Sequence, residues 1–315
     1  MASSKRIRLA VMLVVAGHTS IASAQPQGFA VERLYPSAPG GGWLVMDNLD
    51  IPDGLGGDLS FTLGYANNPL RLSDGTTRLA IVSDEVFADV GAALTYEGWR
   101  FYLNFDSPVV IRGQSGMIAG NAFTRPSLYL GSNPDEISDF RVGTDMRILG
   151  EPGSPFRLGA SAQLFVPFGN RNDYDTDGTF RAMLRALVAG DRGLLTYAAQ
   201  LGVHIRPLDD SPTPGSPEGS EFLFGAAAGV KLPVRCWTAV IGPEVYGATA
   251  FRSFFGSDGT AIEGLLSSRL EGPIDEKRSI RIRLGLGGGI HQQFGAAEWR
   301  MILGVEIYNR SASRP

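Results

Sequence analysis

The sequence predicts an all-β fold, a transmembrane antiparallel up-and-down β-barrel of about twelve strands, with about ten to fourteen as the range. Three observations predict it. Period-2 alternation of apolar and polar residues recurs from Asp58 to Tyr308, while helical periodicity is nearly absent. Connections between the alternating stretches are short at one end and mostly long at the other. The apolar face carries aromatic side chains at both ends, where amphipathic rings favour the headgroup level of a bilayer.

Composition agrees. Among 315 residues there are 41 glycines and only 19% charged residues, against roughly 7% glycine and about 25% charge in average soluble domains. A solvated helix bundle is excluded. With 28 basic and 32 acidic residues the chain has a net charge of -4, without the basic excess that displaces counterions from nucleic-acid phosphates. The single cysteine, Cys236, allows no internal disulfide.

Residues 1–24 read as a signal peptide: Lys5, Arg6 and Arg8 precede the apolar stretch Leu9 to Val15, and Ala22-Ser23-Ala24 offers small residues for cleavage. That stretch is too short to cross a bilayer as a helix, which needs about 20 residues. Residues 25–57 contain Pro36, Pro39 and Gly40 to Gly42 and are expected as a periplasmic amino-terminal segment, forming an extra strand, a collar or a plug.

The barrel is expected over 58–308. Its alternating segments lie near 58–72, 77–96, 99–105, 138–149, 156–166, 179–189, 194–206, 220–232, 237–250, 260–270, 278–290 and 297–308. Glu97-Gly98, 150–155, 190–193 and 233–236 are brief, whereas 106–137, 167–178 and 207–219 are long. An even strand number with short periplasmic turns and longer external loops fits this asymmetry. Closure removes the free edge that hydrocarbon cannot solvate. Tyr96, Trp99, Phe156 and Trp237 fall at the short-turn end, and Tyr65, Phe105, Phe180, Phe222 and Trp299 at the long-loop end. Residues 309–315 are a carboxy-terminal tail. A soluble exported β-sandwich shows the same alternation, but its strands are about half as long.

Several stretches carry a resemblance: Phe29 to Tyr35, Phe87 to Leu94 (FADVGAAL), Phe165 to Gly169 (FVPFG), Phe222 to Val230 (FLFGAAAGV) and Ile241 to Gly247 (IGPEVYG). Together they resemble the amino-terminal barrel of OmpA-family outer-membrane proteins. More loosely, the chain is similar to the outer-membrane transporter family of a phenol-degradation pathway. The resemblance implies a bacterial outer-membrane barrel, not a reaction. OmpA-family members continue into calcium-binding-type repeats and a peptidoglycan-binding domain, so cell-wall anchoring is not carried over to this chain.

If the apolar face meets lipid, the opposite face lines the lumen. At that parity stand Arg100, Arg141, Arg147, Arg157, Arg181, Arg185, Arg206, Arg269, Arg281, Arg283 and Arg300, with Glu244, Glu263 and Glu306 among the acids. Two readings stay open: the charges pair across strands and fill the interior, because an unpaired buried charge costs several kcal/mol, or the arginines form a track for anions. Twelve strands should leave a narrow lumen. Inward-pointing Gly202, Gly225, Gly229, Gly285, Gly287 and Gly289 make room within it.

Asp173, Asp175 and Asp177 match the opening of a calcium loop, but its twelfth position is Leu184 in place of a bidentate glutamate, so they make a weak metal candidate. No cofactor is expected, and no catalytic residue. His204 near Asp209 and Asp210 offers the one acid and histidine pairing that an outer-membrane hydrolase would need. The expected function is a narrow pore or passive transporter for small solutes with an Arg/Glu-lined lumen. The alternatives are a non-conducting structural barrel and, behind it, a hydrolase. Expected partners are outer-membrane lipid, the barrel-insertion machinery and small solutes, and no nucleic acid.

Overall fold

A computed structural model describes residues 28–118, 120–129, 137–208, 212 and 216–309. The expected signal peptide, Asp209, Asp210 and the tail beyond Asn309 lie outside the described residues. Fifteen strands follow in order: β1 Gly56–Ser73, β2 Arg78–Tyr96, β3 Trp99–Arg112, β4 Gly116–Ile118, β5 Asn121–Phe123, β6 Ser127–Tyr129, β7 Phe140–Leu149, β8 Arg157–Val166, β9 Arg181–Arg192, β10 Leu195–Ile205, β11 Glu221–Val234, β12 Trp237–Ala250, β13 Thr260–Pro273, β14 Arg278–His291 and β15 Trp299–Asn309.

Twelve of these, all but β4 to β6, form a closed antiparallel barrel. Each pairs with its neighbour in sequence, β3 pairs directly with β7, and β1 meets β15 in the register Leu59↔Ile307 to Asn67↔Trp299. Backbone amides along the wall thereby find partners in the next strand, which is the condition for lying in hydrocarbon. Alternation sets the two faces: along β3, Trp99, Phe101, Leu103 and Phe105 are exposed outward, and Arg100, Tyr102 and Asn104 are buried inward. In water this arrangement would be inside out. In a bilayer it places the greasy side against acyl chains.

The long loop between β3 and β7 has structure of its own. Strand β3 runs on to Arg112 and takes β6 as a partner beyond β7, while β4 and β5 form a small hairpin. With the upper ends of β1 and β2 they build an apolar cap in which Leu70, Ile81, Ile111, Ile118, Phe123 and Leu128 surround Phe29 and Val31. Val109-Val110-Ile111 therefore continues a strand where the sequence suggested a loop, because Phe29 supplies the surface that it covers.

Of the three forms expected for 25–57, an extra strand, a collar or a plug, the described part takes the plug, and its periplasmic placement is corrected. Its described part from Gly28 to Ile51 lies inside the barrel, running from the long-loop end, where Phe29 packs on Tyr174, to the short-turn end, where Arg147 binds the Ile51 carbonyl. From Gly28 to Ile51 only Glu32, Tyr35 and Asp50 are not fully buried. A turn at its centre is closed by Ser37 N–H to Leu44 O at 2.9 Å and Asn48 N–H to Gly41 O at 2.8 Å. Its apolar side chains Trp43, Leu44, Met46, Leu49 and Ile51 share one cluster with Leu187, Val240, Leu265 and Ile302 of the wall. Twelve strands enclose more space than their own side chains fill, and this plug occupies it.

Three of the inward glycines are shaped to the plug, while Gly202, Gly287 and Gly289 meet neighbouring strands and loops instead. A Cβ at Gly285 would stand 2.3 Å from Leu44 Cδ1, one at Gly225 would stand 2.5 Å from Met46 Cε, and one at Gly229 would stand 2.8 Å from the Trp43 ring. Substituting Gly285→Leu is therefore expected to overpack the lumen at a cost of about 1–3 kcal/mol. It should lower the temperature at which the barrel loses its compact gel mobility, and an unchanged temperature would contradict the packing described.

Candidate functional site

The lumen is the candidate site, and the wall grips the plug backbone there through side chains. A buried irregular segment has no ladder to satisfy its amides and carbonyls, so each needs a partner from elsewhere. Glu244, at inward parity on β12 and fully buried, accepts from three successive amides: Leu44 N at 2.9 Å, Val45 N at 2.9 Å and Met46 N at 3.2 Å. Its Oε1 also accepts from Ser267 Oγ at 2.6 Å, which fixes the carboxylate between β12 and β13.

Arginines serve the plug carbonyls in the same way. Arg283 donates to Trp43 O at 2.6 Å and Ser37 Oγ at 2.9 Å, Arg141 to Pro36 O at 3.0 Å, and Arg157 to Asn48 O at 2.8 Å. Arg206 reaches Ala30 O at 3.0 Å and Arg147 reaches Ile51 O at 3.1 Å. Charge pairs add to these bonds: Arg100 binds Asp47 of the plug as well as Asp145, and Arg300 holds Glu32 of the plug at 2.7 Å and Glu263 at 2.9 Å. A planar guanidinium with five donors suits this double duty better than an ammonium would.

The remaining arginines at inward parity pair mainly within the wall. Arg181 binds Asp139 at 2.7 Å and the Tyr35 hydroxyl at 3.2 Å. Arg281 bridges Glu271 at 2.9 Å and Glu306 at 2.6 Å, and Glu306 also holds Arg283 at 3.0 Å. Arg269 pairs with Glu271 at 2.6 Å while its guanidinium lies 4.4 Å from the Trp43 ring. Arg185 has neutral partners, Gln200 at 2.9 Å and Ser161 at 3.0 Å. Glu263 further accepts from Ala297 N at 2.9 Å and Tyr246 Oη at 2.6 Å. Ion pairs buried this deeply hold a geometry more than they add net stability, since desolvation offsets most of the attraction.

At the long-loop end Arg206 forms a knot with Asp177 at 2.7 Å and Glu221 at 2.9 Å, and Arg33 of the plug joins it through Glu218 at 2.6 Å. Burial pushes the Asp177 carboxyl up, but the Arg206 guanidinium more than offsets it and holds the group below the ordinary carboxylate range. Burial likewise raises Glu218 to about 7 against the pull of Arg33. The calcium-loop match over Asp173, Asp175 and Asp177 is thereby corrected: Asp177 is bound by Arg206 and by Ala30 N–H at 2.8 Å, and Asp175 turns back to Asn170 N–H at 2.7 Å. The three do not converge. His204 is fully buried against Tyr35 and Phe165, 3.5 Å from Glu221, with its expected partners Asp209 and Asp210 outside the described residues.

A plug was one of three forms open to residues 25–57, but the plug residues that meet the wall were not legible in the sequence. Ser37, Asp47 and Asn48 are short polar residues with no periodicity to flag them. A signal was present all the same: Trp43 to Met46, Leu49 and Ile51 crowd apolar bulk into a stretch that a periplasmic position would leave in water.

No protein-family model and no curated protein sequence matches the chain. Solved structures do resemble it. The COG4313 outer membrane channel from Pseudomonas putida F1 aligns with a TM-score of 0.52 at 13% identity, over 82% of this chain and 96% of that one. More distantly, the NanC porin aligns at 0.46 and 8% identity over 80% of this chain and 99% of that one, and the CymD monoaromatic hydrocarbon channel at 0.40 and 8% over 83% and 89%. The likeness is one of fold and does not single out the OmpA family. The chain is a closed twelve-stranded β-barrel of the bacterial outer membrane.

Because Glu244 satisfies three buried amides, Glu244→Ala leaves each unpaired at about 1–3 kcal/mol apiece. The plug should then loosen while the wall ladder stays intact. In a Cys236→Ala background, Ser37→Cys is expected to resist a water-soluble maleimide, and adding Glu244→Ala should make it react. Equal protection in both would show that Glu244 does not hold the plug.

Proposed function

We propose that the protein is an outer-membrane channel for small solutes, closed at rest by its own amino-terminal segment. The observation that carries this reading is the chemistry of the wall behind the plug. No plug strand enters the barrel ladder, so the segment can leave without breaking a wall hydrogen bond. The groups it would uncover include Arg100, Arg141, Arg157, Arg283, Arg300 and Glu244, which water solvates readily. An apolar inner face would resist emptying, whereas a charged one exchanges each plug carbonyl for water, at a net cost of about 1.5–3 kcal/mol per charge-assisted bond. Residues 28–51 carry Glu32, Asp47 and Asp50 against Arg33, so their departure removes more negative than positive charge from the lumen, which favours anionic solutes.

The non-conducting structural barrel remains the second reading, and the apolar cluster between plug and wall favours it. Trp43, Leu44, Met46, Leu49 and Ile51 bury substantial surface that release would expose. A hydrolase fits least, because His204 has no exposure to a substrate. Lipid and the insertion machinery are the partners this reading requires, the latter recognising the closing strand that ends at Ile307-Tyr308-Asn309.

Planar-bilayer recording separates the two. The parent barrel should show small or rare openings, and a variant lacking residues 28–50 or carrying Glu244→Ala should conduct steadily. Adding Arg283→Ala to the deletion should then reduce its anion preference. Silence from a folded, plug-deleted barrel would decide for the structural reading.

A further inference from the structure

Beside Tyr35 the plug leaves a cavity of about 40 Å3 against β2, β3, the start of β7 and the β8–β9 loop. Five carboxylates line it, from Glu32, Glu85, Asp106, Asp139 and Asp175, with a single cation, Arg181. That cation is committed to Asp139 at 2.7 Å. Glu32 has Arg300 at 2.7 Å. Asp106 lies 3.6 Å from Arg141, which Asp89 shares at 3.0 Å, and its Oδ1 has no partner.

Two carboxylates are left without an ion pair among the described residues. Asp175 Oδ2 is buried with no hydrogen bond, its other oxygen being bound only by Asn170 N–H. Glu85 is only 8% exposed, lines the cavity, and has neither a hydrogen bond nor an ion pair among the described residues. Ionised groups in this position cost several kcal/mol unless something neutralises them. Elsewhere on the wall Asp89, Asp145, Glu263 and Glu306 each hold an arginine, and buried Glu244 holds three amide N–H groups and the Ser267 hydroxyl.

We propose that this cavity binds a partly hydrated divalent cation of the Mg2+ class, held chiefly by Glu85 and Asp175. Among the described residues no three acidic or imidazole groups converge at direct-ligation spacing. This suits Mg2+, which gives up water reluctantly and is bound through one or two carboxylates and its retained waters. The space admits an ion with a few waters, since one water needs about 10–15 Å3 on the same scale. Glu32 belongs to the plug, Glu85 and Asp106 to the wall and Asp175 to a loop, so the ion ties three parts of the molecule together at the long-loop end. The site does not depend on whether the lumen conducts.

The test is isothermal titration of MgCl2 into the detergent-purified, EDTA-stripped full barrel. Saturable binding is expected, weakened at least about tenfold in Glu85→Gln and unchanged in Asp275→Asn, a control at the exposed β13–β14 turn. Folding of each variant is checked by heat-dependent gel mobility. If Glu85→Gln fails to fold, Asp175→Asn, which keeps the acceptor for Asn170, carries the same expectation. Absence of saturable binding to the parent overturns the proposal, as does equal affinity in the folded cavity variant; the lone carboxyls are then neutralised by protons instead.

Discussion

An amide in hydrocarbon has no acceptor but another amide, and every other feature of this molecule follows from meeting that demand. The wall meets it by closing β1 onto β15, which leaves no strand edge. Closure with twelve strands then creates an interior wider than side chains fill. The same demand reappears inside, because whatever occupies that interior must also have its backbone satisfied away from bulk water.

The plug answers the second demand without a ladder. Residues 28–51 make few backbone bonds to one another; Glu32, Asp47 and Asn48 cap amides within the segment, and Glu244, Arg141, Arg157, Arg206 and Arg283 reach in to satisfy others. Charged side chains inside a barrel are costly alone, and irregular backbone inside a barrel is costly alone. Each removes the other's penalty. This reciprocity explains why a charge-poor chain concentrates its arginines on one face of its strands, and why that face carries glycines where Leu44, Met46 and Trp43 press against it.

The ladder and the plug are held by separate sets of bonds, so one can change while the other persists. Water competes well for a guanidinium and poorly for the Trp43 and Leu44 side chains. The balance between those two exchanges sets how tightly the plug is held, and it rests on a handful of residues on β12, β14 and the central turn of the plug.

Alternation along Trp99 to Phe105 or Leu195 to Ile205 is a local property of the chain, and the twelve wall strands, their two faces and the aromatic ends follow from it by geometry alone. Parity likewise marks which arginines point inward, since a strand side chain has only two directions to take. What those arginines bind is not local. Arg283 meets Trp43 and Glu244 meets Leu44 across some two hundred residues, in a segment whose aperiodic sequence specifies no shape until the closed wall surrounds it. The sequence by itself determined the barrel because period 2 and hydrocarbon leave one solution; only the tertiary structure decided the contents of the lumen, because a buried irregular backbone takes its form from the side chains that satisfy it.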